Sequence, residues 1–145
     1  MKLIMNLLKR NKLKNFNDSR GKLFFYQQNK FLSQRVFFIE GNKNKTRGNH
    51  AHKQTKQVLI NINSKAEIEI INQSKKIFNF FKPGEYIEVP KMSWVKIYFK
   101  KKGFIAVLCD KKYLKSDYIN NFEKFLSLKK KINYLFTDIF KFKYF

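Results

Sequence analysis

Apolar residues in this chain fall in short runs separated by charged or turn-forming residues, and several runs alternate with polar positions. Residues 66–70 read Ala-Glu-Ile-Glu-Ile and residues 94–99 read Trp-Val-Lys-Ile-Tyr-Phe. Side chains two apart on a strand share a face, so both segments predict half-buried strands. Similar short runs predict strands over 23–26, 35–40, 57–62, 77–81 and 86–89. Gly41-Asn42, Lys82-Pro83-Gly84-Glu85 and residues 100–103 punctuate them as turns. Residues 104–109, Phe-Ile-Ala-Val-Leu-Cys, are apolar throughout, which predicts a central strand covered on both faces. Short strands in close succession predict a mainly β sandwich or barrel.

The end of the chain changes period. Tyr118, Ile119, Phe122, Phe125 and Leu126 have helical spacing, with Ser116 or Asp117 as the expected cap and Asn120 and Asn121 in the following turn. From Lys129 onward lysines mix with aromatics, and the helix is expected to continue over a barrel end or a neighbouring subunit. The same mixture also suits a membrane surface or nucleic acid, although a charge run is usually a solvated face.

Composition bounds the reading. A chain of 145 residues is one domain, expected over 1–145, with a core at about 16–126 and a basic, aromatic tail over 127–145. At 43% hydrophobic and 17% aromatic residues, wholesale disorder is excluded. The net charge of +22 points to nucleic acid or an anionic membrane. A competing cause is genomic base composition, because Lys, Asn, Ile, Phe and Tyr have codons rich in A and T. That cause is favoured, and no nucleic-acid partner is expected. The lone cysteine, Cys109, lies in an apolar run and is expected to be a buried, inert thiol. Residues 1–8 lack a continuous apolar stretch, so no signal peptide is expected. No run approaches the roughly 18–20 apolar residues of a membrane span, and a cytoplasmic location is expected.

Both histidines of the chain lie in Arg47-Gly48-Asn49-His50-Ala51-His52-Lys53. If the segment is extended, His50 and His52 project to one side. Imidazole has an unperturbed pKa of ~6.5 and can accept and return protons near neutrality, so the pair is the candidate catalytic site.

Gly48, His50 and His52 fit the first cupin motif, and Gly84 with Pro90 fit the scaffold of the second. Gln57 stands where that fold commonly offers a Glu, Met92 replaces a Gly, and Val95 replaces the last ligand His. Two imidazoles and a neutral amide hold a divalent ion weakly, so no metal site is expected. More widely, the chain resembles the nucleotide-sugar 3,4-ketoisomerases. The matching segments are Asp18-Ser19-Arg20-Gly21, Arg35-Val36-Phe37-Phe38-Ile39, the string from Arg47 to Lys53, Gln57-Val58-Leu59, Gly84-Glu85-Tyr86-Ile87, Trp94, Tyr113, and Ser116-Asp117-Tyr118-Ile119 running on to Phe125.

The resemblance implies a cupin-type double-stranded β-helix barrel, or jelly roll, with a C-terminal helix. It implies an isomerase without cofactor that moves a keto group between C4 and C3 of a dTDP-linked 4-keto-6-deoxy sugar through an enediol. His50 and His52 would be catalytic, and Arg20, Arg35, Arg47 and Gln57 would bind substrate. The family is typically a homodimer that exchanges N-terminal strands. Departures are Phe37 and Phe38 where Tyr is common, Val95 where His is frequent, and Gln27 where an acid is usual. They keep open a diverged or non-catalytic sugar- or nucleotide-binding cupin.

Overall fold

A computed structural model describes residues 8–72 and 75–142, with side chains as far as residue 133. Twelve strands and one helix follow in order: β1 (Arg10–Lys12), β2 (Lys14–Asp18), β3 (Gly21–Phe25), β4 (Arg35–Gly41), β5 (Lys45–His52), β6 (Gln57–Asn61), β7 (Lys65–Ile71), β8 (Lys75–Phe81), β9 (Glu85–Val89), β10 (Trp94–Lys101), β11 (Gly103–Cys109), β12 (Tyr118–Ile119) and α1 (Phe122–Phe142). Two five-stranded antiparallel sheets, ordered β1-β9-β6-β11-β4 and β12-β5-β10-β7-β8, close on each other as the jelly roll expected. A separate hairpin, β2-β3, leaves Phe16, Leu23 and Phe24 exposed.

The strand predictions follow burial. In β7 and β10, Ile68, Ile70, Val95, Ile97 and Phe99 face inward, and they meet Leu59, Phe81, Ile87, Ile105, Val107 and Cys109 of the neighbouring strands. The apolar run of β11 does sit between β6 and β4, covered on both sides. Outside that sheet Val58, Ile60 and Ala106 pack with Leu13, Tyr26, Phe31 and Tyr86. One end of the barrel is tied by Asn61, whose amide donates to the carbonyls of Ser64 (3.0 Å) and Phe81 (2.6 Å).

The expected cap at Ser116 or Asp117 is not what forms. Lys115–Asp117 is a 3-10 turn, and Tyr118 and Ile119 are strand, paired with His52 and Ala51. The helix starts at Phe122, where the side chain of Asn121 accepts from the backbone N–H of Lys124 (2.8 Å). That is the geometry of an N-cap. A Ser-Asp pair ahead of apolar residues has the same local signature, but here Asp117 is drawn inward by partners more than sixty residues away.

Strand β5 carries a bulge. His50 pairs with Val95 and Gly48 with Lys96, leaving Asn49 without an opposite residue. Gly48 and Asn49 have φ of 86° and 57°, values that glycine and asparagine tolerate best. Arg47, three residues before His50, pairs with inward-facing Ile97. Opposed residues share a face, so the extra residue brings Arg47, His50 and His52 to the same side.

A Cβ on Gly48 would lie 2.6 Å from the Val95 carbonyl oxygen. Gly48→Ala is therefore expected to destabilise by about 1–3 kcal/mol, from a strained left-handed residue and a clash with backbone. A melting temperature within about 1 °C of the parent, well under the several degrees such a loss implies, would contradict this.

Candidate active site

The histidine pair lies at the barrel end opposite the Asn61 tie. Antiparallel register sets the level: Arg35, Cys109, Gln57 and Val89 stand opposite one another across one sheet, and His50, Val95 and Ile70 do so across the other. The two imidazoles meet with ring centroids 5.1 Å apart, and the Tyr118 ring lies 5.2 Å from His50 and 4.3 Å from His52. Ala51, between them, faces the other way and packs with Trp94, Ile119 and Phe125 under the helix. Period two along β5 thus divides chemistry from packing.

Both rings are held through Nδ1. His52 Nδ1 is 2.9 Å from Asp117 Oδ2, and His50 Nδ1 is 3.1 Å from the Gly48 carbonyl. Carboxylates and carbonyls only accept, so each Nδ1 carries the hydrogen and each Nε2 keeps its lone pair. His52 Nε2 is buried and has no hydrogen-bond partner. Burial lowers the pKa of both imidazoles below 6.5. The Asp117 carboxylate opposes this at His52, while His50 and Arg35 reinforce it.

Asp117 was missed as a site residue. Its carboxylate also accepts from Thr55 Oγ1 (2.6 Å) and the Gln54 N–H (2.7 Å). Burial alone would raise its pKa, but these donors and His52 together bring it below 3.8. Its partners lie 62 to 65 residues away, so nothing local in the sequence marks it.

The opposite wall is Arg35, Gln57 and Cys109. Arg35 Nη2 and Gln57 Nε2 donate to the Cys109 thiol at 3.4 and 3.5 Å. Cys109 is buried as expected and anchors two polar neighbours. The Arg35 guanidinium lies 5.5 Å from the Phe37 ring centroid and 5.6 Å from that of Tyr113, and its Nε is buried without a partner.

The other candidates are placed differently. Arg47 shares the inner face but is exposed, and its register opposite Ile97 sets it one inward position from His50 toward the Asn61 end. Arg20 is remote from this end in the single chain: it sits at the turn of the β2-β3 hairpin, 88% exposed, bonded to Asp18 at 2.6 Å. Phe37 faces inward, whereas Phe38 is 65% exposed on the outer surface, so only Phe37 bears on the site. Val95 does occupy the inner face beside His50, and Met92, in place of the motif glycine, has a φ of 56°. Among the described residues no three His, Cys, Asp or Glu side chains are grouped to hold a metal ion.

The chain matches the FdtA profile (WxcM-like, C-terminal) over residues 7–130. The TDP-4-oxo-6-deoxy-α-D-glucose-3,4-oxoisomerase of Aneurinibacillus thermoaerophilus is 32% identical over 133 residues, covering 85% of this chain and 95% of that protein. The QdtA sugar 3,4-ketoisomerase of Thermoanaerobacterium thermosaccharolyticum, solved with TDP, superposes with TM-score 0.78 at 26% identity, over 88% of this chain and 98% of that one. The WlaRB TDP-quinovose 3,4-ketoisomerase of Campylobacter jejuni gives 0.72 at 30% identity, over 85% and 99%.

With only two histidines, proton titration by NMR reads each directly. Both are expected to titrate below 6.5, and Asp117→Asn is expected to lower His52 further, because the carboxylate raises it. Since the folded value of His52 lies below the unfolded one, its contribution to stability is complete above about pH 6.5 and is lost as pH falls through the folded value. A His52 titration at or above 6.5 would refute the buried neutral dyad.

Proposed function

The chain belongs to the FdtA family (WxcM-like, C-terminal), and on that premise we propose that it is a sugar-nucleotide 3,4-ketoisomerase acting on a dTDP-linked 4-keto-6-deoxy sugar. The observation that carries the reading is the His50–His52 pair, with both Nε2 atoms unprotonated and one of them buried without a partner.

The chemistry follows from those atoms. The C4 carbonyl acidifies the C3 hydrogen. A neutral imidazole takes that proton, the C3–H electron pair becomes the C3–C4 double bond, and the C4 oxygen gains a proton, giving the enediol. The enediol then loses the proton of its C3 hydroxyl and accepts one at C4, leaving a keto group at C3. Two imidazoles within contact of each other supply both the taking and the giving, and no external oxidant or reductant is consumed. Arg35, with a buried N–H that lacks a partner, would meet the oxygen on which charge develops. Gln57 lines the same wall, and the exposed guanidinium of Arg47 is suited to the diphosphate, which such a group binds through two hydrogen bonds.

Arg20 fits this reading through assembly. The hairpin leaves Phe16, Leu23 and Phe24 at 67%, 63% and 47% exposure. A homodimer that exchanges N-terminal strands would cover them and carry Arg20 to the partner barrel. Sedimentation at micromolar concentration is expected to give a dimer, and Phe16→Asp with Leu23→Asp a monomer. A monomeric parent would remove Arg20 from the site. A cytoplasmic location suits the substrate, and no described helix is long and apolar enough to cross a membrane.

His50→Asn and His52→Asn are each expected to lower turnover at least about a hundredfold, the low end of general acid–base effects, with TDP affinity nearly unchanged. Asn retains size and hydrogen bonding but cannot serve as the base. The base for C3 is the histidine whose loss abolishes deuterium uptake at C3 in heavy water. The Phe37 ring, without a hydroxyl, favours a second reading, a binding protein without turnover. TDP-sugar binding by the parent with no deuterium uptake at C3 would establish that second reading against the first.

A further inference from the structure

The C-terminal helix runs on past the end of the family match. Helix α1 extends to Phe142, whereas the family match ends at residue 130. Phe125 is fully buried against the barrel, and Leu126, Leu128 and Ile132 pack partly against the same cluster. Ten helical residues follow Ile132, about 15 Å at 1.5 Å per residue.

The sequence of that extension is patterned. Phe125, Leu128, Ile132, Leu135, Ile139 and Phe142 recur at alternating spacings of three and four, which places these positions along one line of a helix. The Phe136 and Phe140 positions widen that line on one side, Lys131 and Asp138 border it on the other, and Lys130, Thr137 and Lys141 fall on the opposite arc. The stripe that begins by packing on the barrel therefore continues for three more turns. Across residues 122–145 there are six lysines against two acidic residues, Glu123 and Asp138.

Charge selects the occupant. A second copy laid along the stripe would bring one lysine-rich helix against another, with few carboxylates to pair them. Nucleic acid would engage the basic arc and leave the apolar line unused. An anionic bilayer takes both, with phenylalanine and aliphatic residues in the acyl boundary and lysines among the headgroups. We infer that the C-terminal helix is an interfacial anchor that docks the protein on an anionic lipid surface, lying in the plane of the membrane without crossing it.

The full chain should co-sediment with vesicles of phosphatidylcholine and phosphatidylglycerol at least about tenfold more strongly than with phosphatidylcholine alone, and added salt should weaken this. Lys130→Gln and Lys131→Gln should each cost about fivefold, the factor for one lysine near an anionic surface. Ile139→Glu should abolish vesicle binding while leaving the melting temperature and the circular dichroism of the barrel unchanged. Three results would overturn the inference: equal binding to neutral vesicles, no binding to either, or binding indifferent to Ile139→Glu, which would assign the attraction to net charge. A monomer-to-dimer shift abolished by Ile139→Glu without lipid binding would replace the bilayer by a second copy. Because TDP binding and turnover are measured without vesicles, failure here leaves the isomerase reading standing.

Discussion

The rest of the site depends on the carboxylate of Asp117. An ionised carboxylate in the interior costs several kcal/mol unless it is hydrogen-bonded and paired. Asp117 receives three donors, the Gln54 N–H, the Thr55 hydroxyl and His52 Nδ1–H, all from the end of β5 and the turn after it. It stands itself just ahead of β12 and the helix. One side chain therefore joins the histidine strand to the C-terminal segment, and backbone bonds run along the same seam, with the Lys53 N–H donating to the Asp117 carbonyl and Tyr118 pairing with His52. On the far face of that seam Ala51, Trp94, Ile119 and Phe125 are packed together. Burying the outside of β5 under the helix is thus what holds an imidazole still on the inside.

What the joint produces is a pair of atoms prepared for a ligand. Buried polar atoms are satisfied in the great majority of cases, and each exception costs about 1–3 kcal/mol. Two exceptions lie in this barrel end, the Arg35 Nε–H donor and the His52 Nε2 acceptor. A keto sugar offers the complement of both, a carbonyl oxygen for the donor and an acidic C–H for the lone pair. The charges are arranged in the same sense. Asp117 would balance a proton taken up by His52, while burial favours the neutral form of both imidazoles.

The parts readable from the chain were those whose partners are nearby or whose pattern repeats. Residues 66–70 and 94–99 alternate because half-buried strands leave a period of two in the sequence, and they became β7 and β10, paired along their lengths. His50 and His52 obeyed the same rule. The bulge had a trace as well, since Gly48-Asn49 inside a strand marks a residue pair free to take positive φ. Strands β1 and β2 had none: Lys-Asn-Phe-Asn-Asp of β2 is exposed throughout, and pairing rather than burial defines it. Asp117 was hidden for a different reason. Its bonds span 62 to 65 residues, and no local pattern separates a carboxylate that caps a helix from one recruited across a barrel.

Val95 and Phe37 are the departures that look most like decay, and the geometry gives them another meaning. Val95 stands opposite His50 on the inner face, in the same apolar cluster as Ile70 and Ile97. A cationic or titratable residue there would add charge or solvent beside the imidazole. Valine adds neither, and desolvation is the leading cause of the lowered His50 pKa. A base must be unprotonated to act, so an apolar neighbour would favour the proton abstraction proposed for this pair. Phe37 similarly keeps an aromatic face under the Arg35 guanidinium, while Tyr118 and Tyr113 bring phenol rings to the same end from a different segment. Aromatic cover and a cation are thus retained at this end by different residues, and on the proposed reading the substitutions would alter how substrate oxygens are met before they alter whether a proton can move.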